Sequence, residues 1–122
     1  MTADNYRARF GRMAEDLALR YLQKHDMTLL ERNFRSRFGE IDLIMQENNT
    51  IIFVEVRSRK NTAFLHPAET IDHSKRTKIR RTSQVFMQKT PARSHFDWRF
   101  DVITLTGRRE NEMKIEWIKS AF

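Results

Sequence analysis

From Tyr6 to about His25 the apolar residues Phe10, Met13, Ala14, Leu17, Ala18, Tyr21 and Leu22 recur at three- and four-residue intervals, the spacing of one helix face. This predicts an amphipathic helix. Leu29, Leu30 and Phe34 follow among bulky and basic residues in MTLLERNFRSRFG, which predicts a strand ending near Gly39. EIDLIM and TIIFVEVRS then read as two strands of a hairpin around the polar turn QENN. Asn61 to Pro67 reads as a loop, and AETIDHSKRTKIRRTSQVFMQK reads as a second helix from about Ala68 to Lys89. TPARSH breaks the chain before two more strands, WRFDVITL and MKIEWI. The order αβββαββ, without repeats or linkers, predicts one α/β domain over residues 1–122.

Two carboxylates disturb this pattern, because Asp42 and Glu55 sit inside the apolar runs of the hairpin. With the turn centred on Asn48 and Asn49, residues that tolerate positive φ, cross-strand partners place Asp42 opposite Glu55 and Glu40 opposite Arg57. Alternation then sets Glu40, Asp42, Phe53, Glu55 and Arg57 on one side of the sheet. Ile51 and Phe53 share the side of Glu55, while Ile52, Val54 and Val56 take the other. A strand apolar on both faces is normally buried on both. Facing carboxylates repel unless a cation or proton lies between them. A hard divalent ion such as magnesium, which takes carboxylate oxygens, is one answer. Neutralisation by Arg57 is a second, and a solvated face a third.

Two helical residues also stand out. Glu15 lies at the border of the first helix's apolar stripe, beside Gly11, Ala18 and Leu22, where a surface role is the ordinary reading. In the second helix Ile71, Lys75, Ile79 and Thr82 fall on one stripe. Lys75 is thereby set among apolar positions, where an ammonium either snorkels outward or meets an anion. Lys75, Arg76, Lys78, Arg80 and Arg81 cluster within two turns of that helix. Together with Arg37 and Arg59 at the strand ends, Lys75, Arg76 and Lys78 are candidate nucleic-acid contacts.

Composition narrows the classes. Lys and Arg number 23 against 16 Asp and Glu, a formal charge of +7, which favours a polyanionic partner, either nucleic acid or an acidic membrane face, the second with no motif behind it. The chain has no cysteine, which removes disulfides, thiolate metal sites and cysteine nucleophiles. Three glycines do not supply a phosphate-cradling loop, and His25, His66, His73 and His95 lack metal-ligand spacing. No apolar run has the length of a signal peptide or membrane span, so a cytoplasmic protein without membrane contact is expected. Asp101, in RFDVI, reads as structural.

RFGRMAEDLALRYL, ERNFRSRFGEIDLI, FVEVRSR and RFDVI, in this order, resemble the small YraN-type bacterial family, described as uncharacterised and related to Holliday junction resolvases. The resemblance implies a restriction-endonuclease-like fold of the PD-(D/E)xK superfamily, a central mixed sheet flanked by helices. It implies Asp42 and Glu55 as the motif acids, with Glu15 from the first helix, holding Mg²⁺ or Mn²⁺ for metal-assisted hydrolysis of a phosphodiester. Arg57 stands where the motif calls for lysine. Arginine keeps charge stabilisation but not proton transfer. The implied activity is a DNA endonuclease, with branched DNA as a candidate substrate and a homodimer expected by analogy. The alternative is a nucleic-acid-binding module that keeps the fold with little or no catalysis.

Overall fold

The computed structural model describes residues 3–60 and 71–122. Helix α1 (Ala3–Lys24) is followed by β1 (Thr28–Ser36), β2 (Gly39–Glu47) and β3 (Thr50–Arg59), then α2 (His73–Gln88), β4 (Asp97–Thr106) and β5 (Lys114–Ile118). The five strands lie in the order β1-β2-β3-β4-β5. β3 and β4 run parallel, and the other neighbours antiparallel. The sheet is therefore mixed and the order is the predicted αβββαββ. Residues 61–67, read as a loop, and 68–70, read as the start of the second helix, lie outside the described residues.

Each face of the sheet carries one helix. Ala14, Ala18 and Leu22 of α1 pack with Leu43, Met45, Ile52, Val54, Val56, Ile103 and Leu105. On the other face Ile79 and Phe86 of α2 pack with Phe34, Ile41, Ile44, Ile51, Phe53, Phe100 and Val102. β3 is buried without interruption from Ile51 to Val56, so both faces of this strand are interior, as its doubly apolar sequence implies.

Two boundaries differ from the pattern. The hairpin strands run on through Gln46 and Glu47, leaving a turn at Asn48 and Asn49, with Asn48 at φ 52°. The second helix begins at His73, not near Ala68. Asp72 is extended, and its carboxylate accepts the Lys75 N–H at 2.8 Å. An aspartate there satisfies a free helical donor as an N-cap. Ile71, which the stripe had placed inside the helix, is buried just before it.

Asp101 is fully buried. Its carboxylate accepts Arg99 Nε at 3.0 Å, Trp117 Nε1 at 2.9 Å and the Ser120 N–H at 2.9 Å. It ties the C-terminal segment to β4, the structural role its position suggested.

Candidate active site

The candidate site lies where β2 and β3 part. Their ladder has the inferred register, running from Glu47↔Thr50 to Leu43↔Val54, and stops there. Beyond that point β2 stays paired with β1 as far as Ser36↔Gly39, while β3 stays paired with β4 as far as Arg59↔Thr106. The parting strands leave a cleft. Asp42 is the first residue past the last rung, and its Oδ2 accepts the Val56 N–H at 2.8 Å. A side chain thus satisfies a donor freed where the ladder ends.

Glu55 enters the cleft from the α2 side and is 2% exposed. The Asp42 and Glu55 carboxyls lie within hydrogen-bonding reach. Burial, then the charge of Asp42, then that hydrogen bond push the Glu55 carboxyl up from its ordinary value to about 9, against the opposing charges of Arg57 and Lys75. A proton between the two acids answers their repulsion in the metal-free protein.

Arg57 does not discharge the pair by direct contact. Its Nη1 donates to the Val56 carbonyl at 3.2 Å, while its buried Nη2 has no hydrogen-bond partner among the described residues. Nor does it face Glu40 as the extrapolated register suggested. Glu40 is taken by Arg35 Nε at 3.3 Å and Asn33 Nδ2 at 3.0 Å on the β1 side, because β2 has already left β3. A cavity of about 230 Å³ is lined by Gly39, Glu40, Asp42, Glu55, Arg57, Lys75, Lys78 and Ile79. Lys75 thus borders the acid pair from the first turn of α2, and its charge acts on Glu55.

Glu15 belongs to the helix on the opposite face, yet the charge of Asp42 reaches it. After burial, that charge is the main influence raising the Glu15 carboxyl, against hydrogen bonds from Asn33 and Arg32. The approach across the sheet has a local cause. Ile41 packs toward α2 and Leu43 toward α1, so strict alternation breaks at Asp42. On β1, Arg32 reaches Glu15 on the α1 side and Phe34 packs on the α2 side, with Asn33 between them at φ 54°. Asn33 Nδ2 bridges Glu15 at 3.1 Å and Glu40 at 3.0 Å. Arg32 holds Glu15 at 3.3 Å and Asp16 at 2.7 Å.

The four motif positions are therefore brought to one end of the sheet, with Glu15 at one remove. Among the described residues, no three carboxylates or imidazoles gather into a ready-made metal cage. Of the basic candidates, Lys75 and Lys78 line the cleft. Arg76 donates Nε to the Ile71 carbonyl at 2.8 Å and lies over Phe122, so it braces the start of α2. Arg37 lies over the Phe38 ring, and Arg59 borders a different cavity. Sequence reasoning missed Arg32 and Asn33. An asparagine amid strand residues was the available signal, since it tolerates left-handed backbone.

A mixed five-stranded sheet with one helix on each face and an acid pair where its strands part is consistent with a restriction-endonuclease-like fold. The chain belongs to the uncharacterised protein family UPF0102, whose model matches residues 14–105, as the YraN-type resemblance implied. A UPF0102 protein of Nitrosomonas europaea is 47% identical over 112 residues, covering 92% of each chain. One from Legionella pneumophila is 42% identical over 92% of each chain. One from Pseudomonas syringae is 39% identical over 95% of this chain and 94% of its own. Among the described residues no helix is long and apolar enough to cross a membrane.

Proposed function

We propose that this protein is a Mg²⁺- or Mn²⁺-dependent DNA endonuclease that hydrolyses phosphodiester bonds. The observation that carries the reading is the Asp42–Glu55 carboxyl pair, a half-buried Asp42 beside a buried Glu55, in a cleft that also holds Arg57 and Lys75. The donor chemistry fits the ion. Two hard-oxygen groups already share a position that needs a positive charge, and a divalent cation can replace the proton there. Asp42 and Glu55 would hold it, with Glu15 tuning the field behind Asp42. When bound, such an ion supplies charge stabilisation at phosphoryl oxygens and lowers the pKa of water.

The chain's own groups divide the remaining work. Arg57 Nη2, buried and unpartnered among the described residues, is a free donor for a phosphoryl oxygen, and its permanent charge suits a developing phosphorane. Lys75 and Lys78, on the helix facing the cleft, offer contacts to the flanking backbone. Glu55 must give up its proton before the site is loaded, so loading is favoured as pH rises. The formal charge of +7 attracts the polyanion over longer range. A cytoplasmic enzyme acting on branched DNA as a homodimer is the form that the family's relation to junction resolvases suggests.

The test is cleavage of labelled single-stranded, duplex, flap and four-way-junction DNA with Mg²⁺, Mn²⁺ or EDTA, alongside Asp42→Asn. Metal-dependent cutting that disappears in the variant is the expected result. Binding without cutting, unaltered by the substitution, sinks the nuclease reading and leaves a DNA-binding module, the role that arginine in the motif's lysine position favours.

A further inference from the structure

The apolar stripe of α1 continues past the part of the helix that packs on the sheet. Its buried members begin at Ala14, but Tyr6 and Phe10 extend the same face by two turns. Tyr6 is 42% exposed, and its ring lies nearly parallel to that of Phe10, at 18° and 6.2 Å between centroids. The two rings help to line an open cleft of about 530 Å³, together with Arg7, Gly11, Ser58, Arg59 and Lys60. Lys60 Nζ stands 4.5 Å from the centre of the Tyr6 ring. A Cβ built on Gly11 would meet nothing within 4 Å, so the glycine leaves this wall recessed.

The chemistry of the lining selects the ligand. Flat aromatic faces beside three cationic side chains suit a heteroaromatic ring carrying a phosphate, as in base stacking by single-strand-binding proteins. The volume is within the range of small-ligand sites. Location adds the substrate. Gly11 is four residues, about 6 Å of helical rise, from Glu15, and Ser58 follows Arg57 directly on β3. Stacked duplex bases are not free to enter such a cleft, whereas an unpaired base is.

We infer that the cleft between the start of α1 and the end of β3 is a subsite for an unpaired nucleobase next to the scissile phosphate. This rests on the nuclease reading and makes its substrate a strand with unpaired nucleotides, such as a flap, gap or open junction.

Binding tests it independently of turnover. In EDTA at fixed salt, fluorescence anisotropy would compare a single strand with a duplex of equal length, for the whole chain and for Tyr6→Phe, Tyr6→Ala and Gly11→Leu. Tyr6→Ala and the cavity-filling Gly11→Leu should each weaken single-strand binding about tenfold, the scale of one lost stacking contact. Tyr6→Phe and all duplex affinities should stay near wild type. A 5-bromodeoxyuridine strand should photocrosslink to Tyr6 or Phe10, with the adduct located by mass spectrometry. Equal losses for both DNAs, or unchanged single-strand binding with no adduct at either ring, overturn the subsite even if cleavage persists. An adduct at Tyr6 in a chain that never cuts DNA keeps the subsite and removes the nuclease.

Discussion

At the scale of single residues, the protein turns on where one proton sits. The folded chain holds a proton on Glu55 more tightly than the unfolded chain, since the Glu55 carboxyl is raised to about 9. Its contribution to stability is therefore complete below the unfolded value of 4.5 and is lost as pH rises toward 9. In EDTA, thermal melts should show stability falling across that window, by at most about 1.4 kcal/mol per pH unit for one proton. Glu55→Gln should flatten the fall and melt above wild type at pH 8. Mg²⁺ should reverse the trend, with a melting-temperature gain larger at pH 8 than at pH 6 and lost in Asp42→Asn. A magnesium response independent of pH and of Asp42 would place the ion elsewhere. Arg57 makes a separate prediction, because its work is charge and not proton transfer. Arg57→Lys should keep cleavage within about tenfold, whereas Arg57→Ala should lose about a hundredfold or more, as when an oxyanion donor is removed. Single-turnover rates would decide between them.

The elements position these residues by ending their regularity at chosen places. Helix α1, the hairpin register and the two-faced burial of β3 were legible in the sequence, because periodicity reports which face meets the core. Asp42 meets Glu55 as the extrapolated register suggested, although the ladder ends one rung short of them and alternation breaks at Asp42. The rest was not legible. Glu40 left Arg57 because β2 and β3 diverge past Leu43, and that divergence depends on which neighbour each strand keeps, a property of the whole sheet. The charge of Asp42 acts on Glu15 across the sheet where β2 breaks alternation at Asp42 and β1 switches at Asn33, and one left-handed residue leaves no periodic trace. The start of α2 was misplaced because Ile71 is buried for its own reasons and mimics a helical position. Asn33 offers the sharpest test at this scale. Asn33→Gly keeps the positive φ but removes the amide that bridges Glu15 and Glu40. It should melt close to wild type while cleavage falls several-fold. Asn33→Ala must also strain the backbone, by about 1–2 kcal/mol, and should lose both stability and rate. Cleavage at the wild-type rate by Asn33→Gly would mean that the bridge has no part in the site.

For the molecule as a whole, the question is how a surplus of positive charge serves a centre made of acids. At least five of the 23 basic residues are held by packing or pairing. Arg76 and Arg80 lie over Phe122, Arg81 and Arg37 over Phe38, and Arg99 against buried Asp101. Guanidinium groups stacked on rings keep their charge while losing freedom to follow a ligand. Lys75 and Lys78 differ, because they border the cleft itself and their flexible ammonium groups act as point charges. If they contact the phosphates on either side of the scissile bond, each substitution should remove about one unit from the salt dependence of DNA binding, since every neutralised phosphate contributes about 0.9 to that slope. Lys75→Ala and Lys78→Ala should thus lower the slope singly and nearly additively, with duplex and single strand affected alike. Arg76→Ala should leave the slope in place and lower the melting temperature, because its Nε supports the chain where α2 begins. Binding isotherms at four or five salt concentrations, paired with melts, separate these outcomes. An unchanged slope in the lysine variants beside a reduced one in Arg76→Ala would mean that DNA follows the outer face of α2 and bypasses the cleft, and the acid pair would then lack its substrate.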